Sequence, residues 1–242
     1  MVAKLQDPQL GLTLLDIASV PIPKQTRTYH PMGNEELVNA ALTKFREKHD
    51  RRPEAMGFNL SKCRAQMLGV IQFRAKPGEN PTTPFTLLLR NSYNKKWSVG
   101  VAAGVSVFYC TNMMISGSSF KFFRKHTSGV RTAVDFLFNQ VMEDSEARYK
   151  RQLQERQQMA QRLITTDGGY GILGQMYGNK ILKPRMFSTA MEEWQTPRFE
   201  VFENRNLWSL YNAATYGVKA GSPRHVVKHN PLVHEYIVGM LD

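Results

Sequence analysis

The residues of this sequence with most chemistry to offer are lysines and arginines interleaved with aromatic rings. Residues 118–129 read SSFKFFRKHTSG and set Phe120, Phe122 and Phe123 among Lys121, Arg124 and Lys125. Along an extended strand side chains alternate faces, so Phe120, Phe122 and Arg124 share one side while Lys121, Phe123 and Lys125 share the other. If the first face serves a core, the second presents an aromatic surface flanked by two ammonium groups. Sequence-tolerant binders of single-stranded nucleic acid use that arrangement, stacking bases and neutralising phosphates. A buried strand with charged edges fits the same residues. Arg90, Lys95, Lys96 and Trp97 repeat the combination upstream, where a plain hairpin turn is the competing reading.

Other chemistries find less support. Gly169, Gly171 and Gly174 satisfy G-x-G-x-x-G, but the motif follows a helical pattern instead of a strand, so a glycine-rich connection between helices is expected there. His225, His229 and His234 lie close together and the first two have the four-residue spacing of zinc ligands, yet Pro231 is expected to interrupt a helix and no cysteine lies nearby, which favours exposed histidines in a basic segment. Cys63 and Cys110 form no C-x-x-C and read as reduced thiols. The acidic pairs Glu143–Asp144 and Glu192–Glu193 are adjacent, and adjacent helical residues diverge, so no metal-binding carboxylate cluster is expected. No nucleophile elbow or deaminase signature occurs. The expectation is a non-enzyme without cofactor or metal.

The formal net charge of +12 points to an anionic partner. It is unevenly spread: residues 1–128 hold 18 Lys/Arg against 8 Asp/Glu, and residues 129–242 hold 14 against 12. The longest nearly uncharged apolar run, 99–110, is shorter than the ~20 residues that span a bilayer. The first residues lack a secretory pattern, so a cytoplasmic protein without a membrane partner is expected.

These groups need elements to position them. Pro8, Pro21, Pro23 and Pro31 make residues 1–33 an extended arm. Leu37, Val38, Ala41, Leu42 and Phe45 predict an amphipathic helix from Asn34 onward. Residues 66–75 and 85–92 read as strands, followed by a sheet continuing to about 126, with helix an alternative for 101–110. Val130, Ala133, Val134, Leu137, Phe138, Val141 and Met142 begin a helical pattern running to Ile164, as one helix or two, whose charged second half is expected to project or pack on a partner. A further helix surrounds Leu207, Leu210, Tyr211 and Ala214. The fold class is α+β: a central antiparallel sheet, flanking helices and one long, partly projecting helix, in a single domain over 34–242.

Three stretches taken together, residues 87–117, then FRKHTSG, then residues 202–219 with KHNP, resemble a family of phage- and plasmid-encoded proteins, the phage/plasmid-like domain of unknown function. The matching positions are Arg90, Asn91 and Ser92; Cys110 and Asn112; Lys125 and His126; and Leu207, Trp208, Asn212 and Ala213. Met113 stands where that family usually has glycine. The resemblance implies a mobile-element origin and a host cytoplasm, and no reaction. It also suggests that Arg90, Asn91, Asn112 and His126 meet, around a ligand or as a buried polar network.

The expectation from sequence is therefore a phage-type nucleic-acid-binding protein, foremost for single-stranded DNA in replication, recombination or annealing. Arg90, Lys95, Lys96, Lys121, Arg124 and Lys125 would meet the strand, with Trp97 and Phe123 stacking bases. Assembly of identical chains is compatible with this. The alternative is an interaction module acting on a host defence or transcription protein through residues 130–164.

Overall fold

The computed structural model describes residues 3–4, 10–77, 79, 84–106, 113–114, 123–143, 145–221 and 223–241. The chain folds as two compact units, Met1–Thr111 with Ser118–Tyr149, and Asn112–Gly117 with Lys150–Asp242.

The first unit opens with β1 (Ala3–Lys4), α1 (Leu14–Ala18) and α2 (Asn34–His49), followed by four eight-residue strands: β2 (Pro53–Leu60), β3 (Gln66–Phe73), β4 (Phe85–Ser92) and β5 (Val99–Ser106). The four form an antiparallel meander, as expected of an α+β chain, and β1 adds in parallel along β2. β3 and β4 are buried on both faces, which is why their sequences QMLGVIQF and FTLLLRNS read as nearly continuous apolar runs. Residues 99–106 are strand, not the helix that their small residues left open. Alternation of Val99, Val101 and Ala103 with Gly100, Ala102 and Gly104 suits a strand packed on both sides. β2 has no equivalent in the sequence reading, because Pro53, Glu54, Gly57 and Asn59 weaken its strand signal. Register places its Phe58 opposite Gly69 of β3, whose missing Cβ leaves room for the Phe58 ring.

Two helices supply this unit's apolar cover. Leu37, Val38, Ala41 and Phe45 of α2 are fully buried, and the Phe45 ring stacks 5.0 Å from Phe73 and 5.5 Å from Phe85. The helical pattern from Val130 is two helices, α3 (Val130–Glu143) and α4 (Ser145–Gln161). The segment expected as an extended arm contains α1, closed by a reciprocal Thr13–Asp16 capping box, and buries Leu10, Ile17, Val20, Tyr29 and Met32. The prolines at 21 and 23 follow that helix and do not prevent it.

The second unit contains a two-residue strand, β6 (Met113–Met114), the remainder of α4, and α5 (Thr166–Gly178), α6 (Pro184–Gln195), α7 (Leu207–Lys219) and α8 (Pro223–Val238). After β6 the chain returns to the first unit as β7 (Phe123–Arg124), which pairs antiparallel with β5. α7 is buried along nearly its whole length and forms the core helix of its unit. At Gly217 a Cβ would collide with the Met186 backbone carbonyl, so glycine permits the close approach of α6 and α7.

Several expectations for this half are corrected. The glycine-rich stretch is helix α5, begun by Thr165, whose hydroxyl accepts from the Gly168 amide at 2.9 Å. Gly169 is needed because a Cβ there would overlap the Trp194 ring, while Ile172, Leu173 and Met176 supply the buried face. α8 continues through Pro231, burying His229, Val233, His234 and Ile237, and this packing outweighs the hydrogen bond that proline cannot make. His229 and His234 are therefore interior residues, not exposed ones. The second half of α4 does not project: Gln152 and Met159 are buried, Arg156 lies 5.5 Å from the Trp208 ring centroid, and Glu155 reaches within 3.5 Å of His234. Its charges mark long side chains folded over apolar surface.

Candidate nucleic-acid interface

The turn between β4 and β5 is built by its own polar residues. Ser92 Oγ donates to Asn94 Oδ1 at 2.7 Å and accepts from the Trp97 amide at 3.3 Å, and the Lys96 amide donates to Asn94 Oδ1 at 3.2 Å. Lys95 takes the left-handed conformation, φ 62°, at the tip. Both Lys95 and Lys96 are exposed.

β7 joins the first residues of β5, with Val99 opposite Arg124 and Gly100 opposite Phe123. That register delivers Lys125, His126 and Thr127 beside the turn. The third wall comes from the amino-terminal segment, whose His30 amide donates to the His126 carbonyl at 2.9 Å. Tyr29 meets the His126 ring edge-on, centroids 5.6 Å apart, and the Lys95 ammonium lies 4.5 Å over the Tyr29 ring.

The result is a cleft of about 420 Å³. Thr28 and Tyr29 line it from one side, the run from Lys95 to Ser98 from a second, and Lys125 to Thr127 from a third. Among the described residues no carboxylate belongs to the lining. His126 is 5% exposed, neither ring nitrogen has a hydrogen-bond partner among the described residues, and burial pushes its pKa below the ordinary value, against a smaller opposing effect of the His30 backbone. Burial likewise raises the Tyr29 phenol. A lining that includes three lysines and hydroxyl side chains is suited to binding an anion.

Five of the residues singled out from sequence come together here: Lys95, Lys96, Trp97, Lys125 and His126. Trp97 is 7% exposed, too little for a full ring face to stack on a base. Arg90 is half-buried in β4 between Leu68 and Gly100, and burial pushes its pKa down to about 10, so it differs from an exposed phosphate contact. Phe123 and Arg124 are described as β7 backbone only, and Lys121 and Asn112 lie outside the described residues, as does Cys110. Cys63 is an exposed free thiol.

Among the described residues Asn91 shares no hydrogen bond with the His126 ring. Its amide donates to the Met32 carbonyl at 2.8 Å and to Asn34 Oδ1 at 2.9 Å, while its Oδ1 accepts from the Ser92 amide at 2.9 Å. The Asn34 amide donates to the Tyr93 hydroxyl, and the Tyr29 hydroxyl donates to the Tyr93 carbonyl, both at 2.9 Å. The buried network therefore supports the cleft from below through Tyr29. Sequence reading missed Tyr29 and Thr28, whose place depends on contacts between segments far apart in the chain.

Among the described residues no group of three or more His, Cys, Asp or Glu could hold a metal ion, and no helix is long and apolar enough to cross a membrane. Comparison with protein-family models, with curated proteins and with solved structures gives no match.

Proposed function

We propose that the chain is a phage-type binder of single-stranded nucleic acid, foremost DNA, serving replication, recombination or annealing in a host cytoplasm. One observation carries this reading: Lys95, Lys96 and Lys125, drawn from two separated segments, line a single cleft with no carboxylate among its described lining residues. Surface lysines kept only for solubility have no reason to converge. The strong basic surplus before residue 129 supports an electrostatic footprint in the same part of the chain. Aromatic contribution rests on Phe123, next to the cleft in sequence, more than on the buried Trp97.

The alternative, a host-protein ligand using residues 130–164, has less surface to work with, since the second half of α4 spends Glu155, Arg156 and Met159 inside its own unit.

The test is a fluorescence-anisotropy titration of a labelled 30-mer single strand at three salt concentrations, with duplex and RNA controls. Up to three phosphate contacts, one per lysine, give a slope of log affinity against log salt between about −0.7 and −2, at about −0.7 per contact. A salt-independent signal, or none at low salt, overturns the reading.

A further inference from the structure

Resting on that reading, we propose that the cleft is a receptor for a strand end bearing a phosphomonoester, with Lys95, Lys96, Lys125 and His126 gripping the terminal phosphate. Its size is the first reason. About 420 Å³ lies within the range of small-ligand pockets and suits roughly one nucleotide, whereas a strand passing through needs an extended groove.

Charge is the second reason. An internal phosphodiester carries one negative charge, while a phosphomonoester carries about 1.5 to 2 at neutral pH and offers three terminal oxygens. Three lysines lining one cavity, with no carboxylate among its described lining residues, match the terminal group better than the internal one.

His126 is the third and independent reason. A side chain 95% buried at the cavity wall, with two ring nitrogens unpartnered among the described residues and neither reached by solvent, holds hydrogen-bonding capacity that is met when the ring turns toward a ligand. On such a turn the one N–H of the neutral imidazole donates to a phosphate oxygen. The hydroxyls of Ser98 and Thr127 line the same cavity and offer further donors.

The decisive experiment compares 3′-labelled 30-mers carrying a 5′-phosphate or a 5′-hydroxyl, and 5′-labelled 30-mers carrying a 3′-phosphate or a 3′-hydroxyl, bound to the full chain at 150 mM salt. One phosphorylated end is expected to bind about tenfold tighter than its hydroxyl counterpart, as one strong charge-assisted contact supplies. His126→Gln and Lys125→Ala should each reduce that ratio. A nucleoside monophosphate should compete with the phosphorylated strand and the nucleoside should not. Equal affinity for all four strands overturns the inference and leaves the nucleic-acid reading standing. No binding to any strand overturns both. Binding of the monophosphate or of inorganic phosphate without binding of strands also overturns it, assigning the cleft to a small anion instead. The wild-type ratio decides the matter even if a variant fails to fold.

Discussion

The ammonium of Lys95 stands 4.5 Å over the ring of Tyr29, joining the tip of the β4–β5 turn to the amino-terminal segment. The contact orients a cation at the mouth of the cleft at little cost, because the exposed Lys95 keeps its solvent while the buried ring provides the negative face.

Lys95→Ala is expected to flatten the salt dependence of single-strand binding by up to about 0.7, the share of one phosphate contact. Folding stability should fall by less than about 1 kcal/mol, the usual size of an exposed cation–π pair. Anisotropy at several salt concentrations and a urea titration measure the two effects. A loss of stability without change in slope would remove Lys95 from the interface.

Asn91→Ala should act differently, since Asn91 is fully buried and satisfies Met32, Asn34 and Ser92 at once. Leaving such groups unpaired costs about 1–3 kcal/mol each, so a total loss of about 3 kcal/mol in urea unfolding is expected. Because Asn34 leads through Tyr93 to Tyr29, binding should weaken as well, even though Asn91 is not part of the cleft lining. Unchanged stability would show that the network does not hold the fold.

A buried ion pair gives the third prediction. Arg51, with its side chain fully buried, forms two hydrogen bonds to Glu79, at 2.7 and 3.0 Å, and lies 4.7 Å from the Phe85 ring centroid and 5.5 Å from that of Tyr149. Glu79→Gln should cost about 1–3 kcal/mol by taking the carboxylate charge from the buried guanidinium, and adding Arg51→Met should recover part of it. Burial works to raise the Glu79 pKa, but hydrogen bonds from Arg51 and the Lys76 backbone outweigh it and hold it below its ordinary 4.5. The native carboxyl thus binds protons less readily than the unfolded one, so the pair's contribution is complete above about pH 4.5 and disappears as pH falls through the native value. Urea midpoints between pH 3 and 6, compared with Glu79→Gln, check this.

His234 produces a second acid sensitivity in the helical unit. Burial pushes its pKa from 6.5 down to about 4. Unfolded chains bind the proton first, so stability should be full above pH 6.5 and decline toward pH 4, by ~3 kcal/mol at most. Glu155, itself driven upward by burial, faces the ring at 3.5 Å and moderates the loss where it is ionised. Tyr211 packs edge-on, centroids 6.0 Å apart. His234→Phe should flatten the pH profile between 4 and 6.5; an unaltered profile would assign the sensitivity elsewhere.

What is legible in the sequence divides along physical lines. Leu37 to Phe45 and the apolar runs of β3 and β4 announce their elements because burial is periodic or continuous there. Lys95, Lys96 and Lys125 are identifiable as a basic set and His126 as a polar residue, but their convergence depends on the β5–β7 register, which no local pattern encodes. Tyr29 gives no signal because its partners, Tyr93, Lys95 and His126, lie distant in the chain. The departures at α5 and α8 share a cause. Intrinsic propensity alone makes glycine and proline helix breakers, while Trp194 over Gly169 and the buried face around Pro231 reverse that preference through packing.

The hydrogen bond from the His30 amide to the His126 carbonyl makes the segment ahead of α2 part of the cleft's architecture. A proline-rich leading segment invites trimming when a shorter fragment is wanted for expression or crystallisation. A fragment beginning at Asn34 would retain every eight-residue strand yet surrender Thr28, Tyr29 and the anchor for His126, along with the buried Ile17, Val20 and Met32. Loss of binding in such a fragment would testify to a missing wall and should not be taken as failure of the lysines that remain.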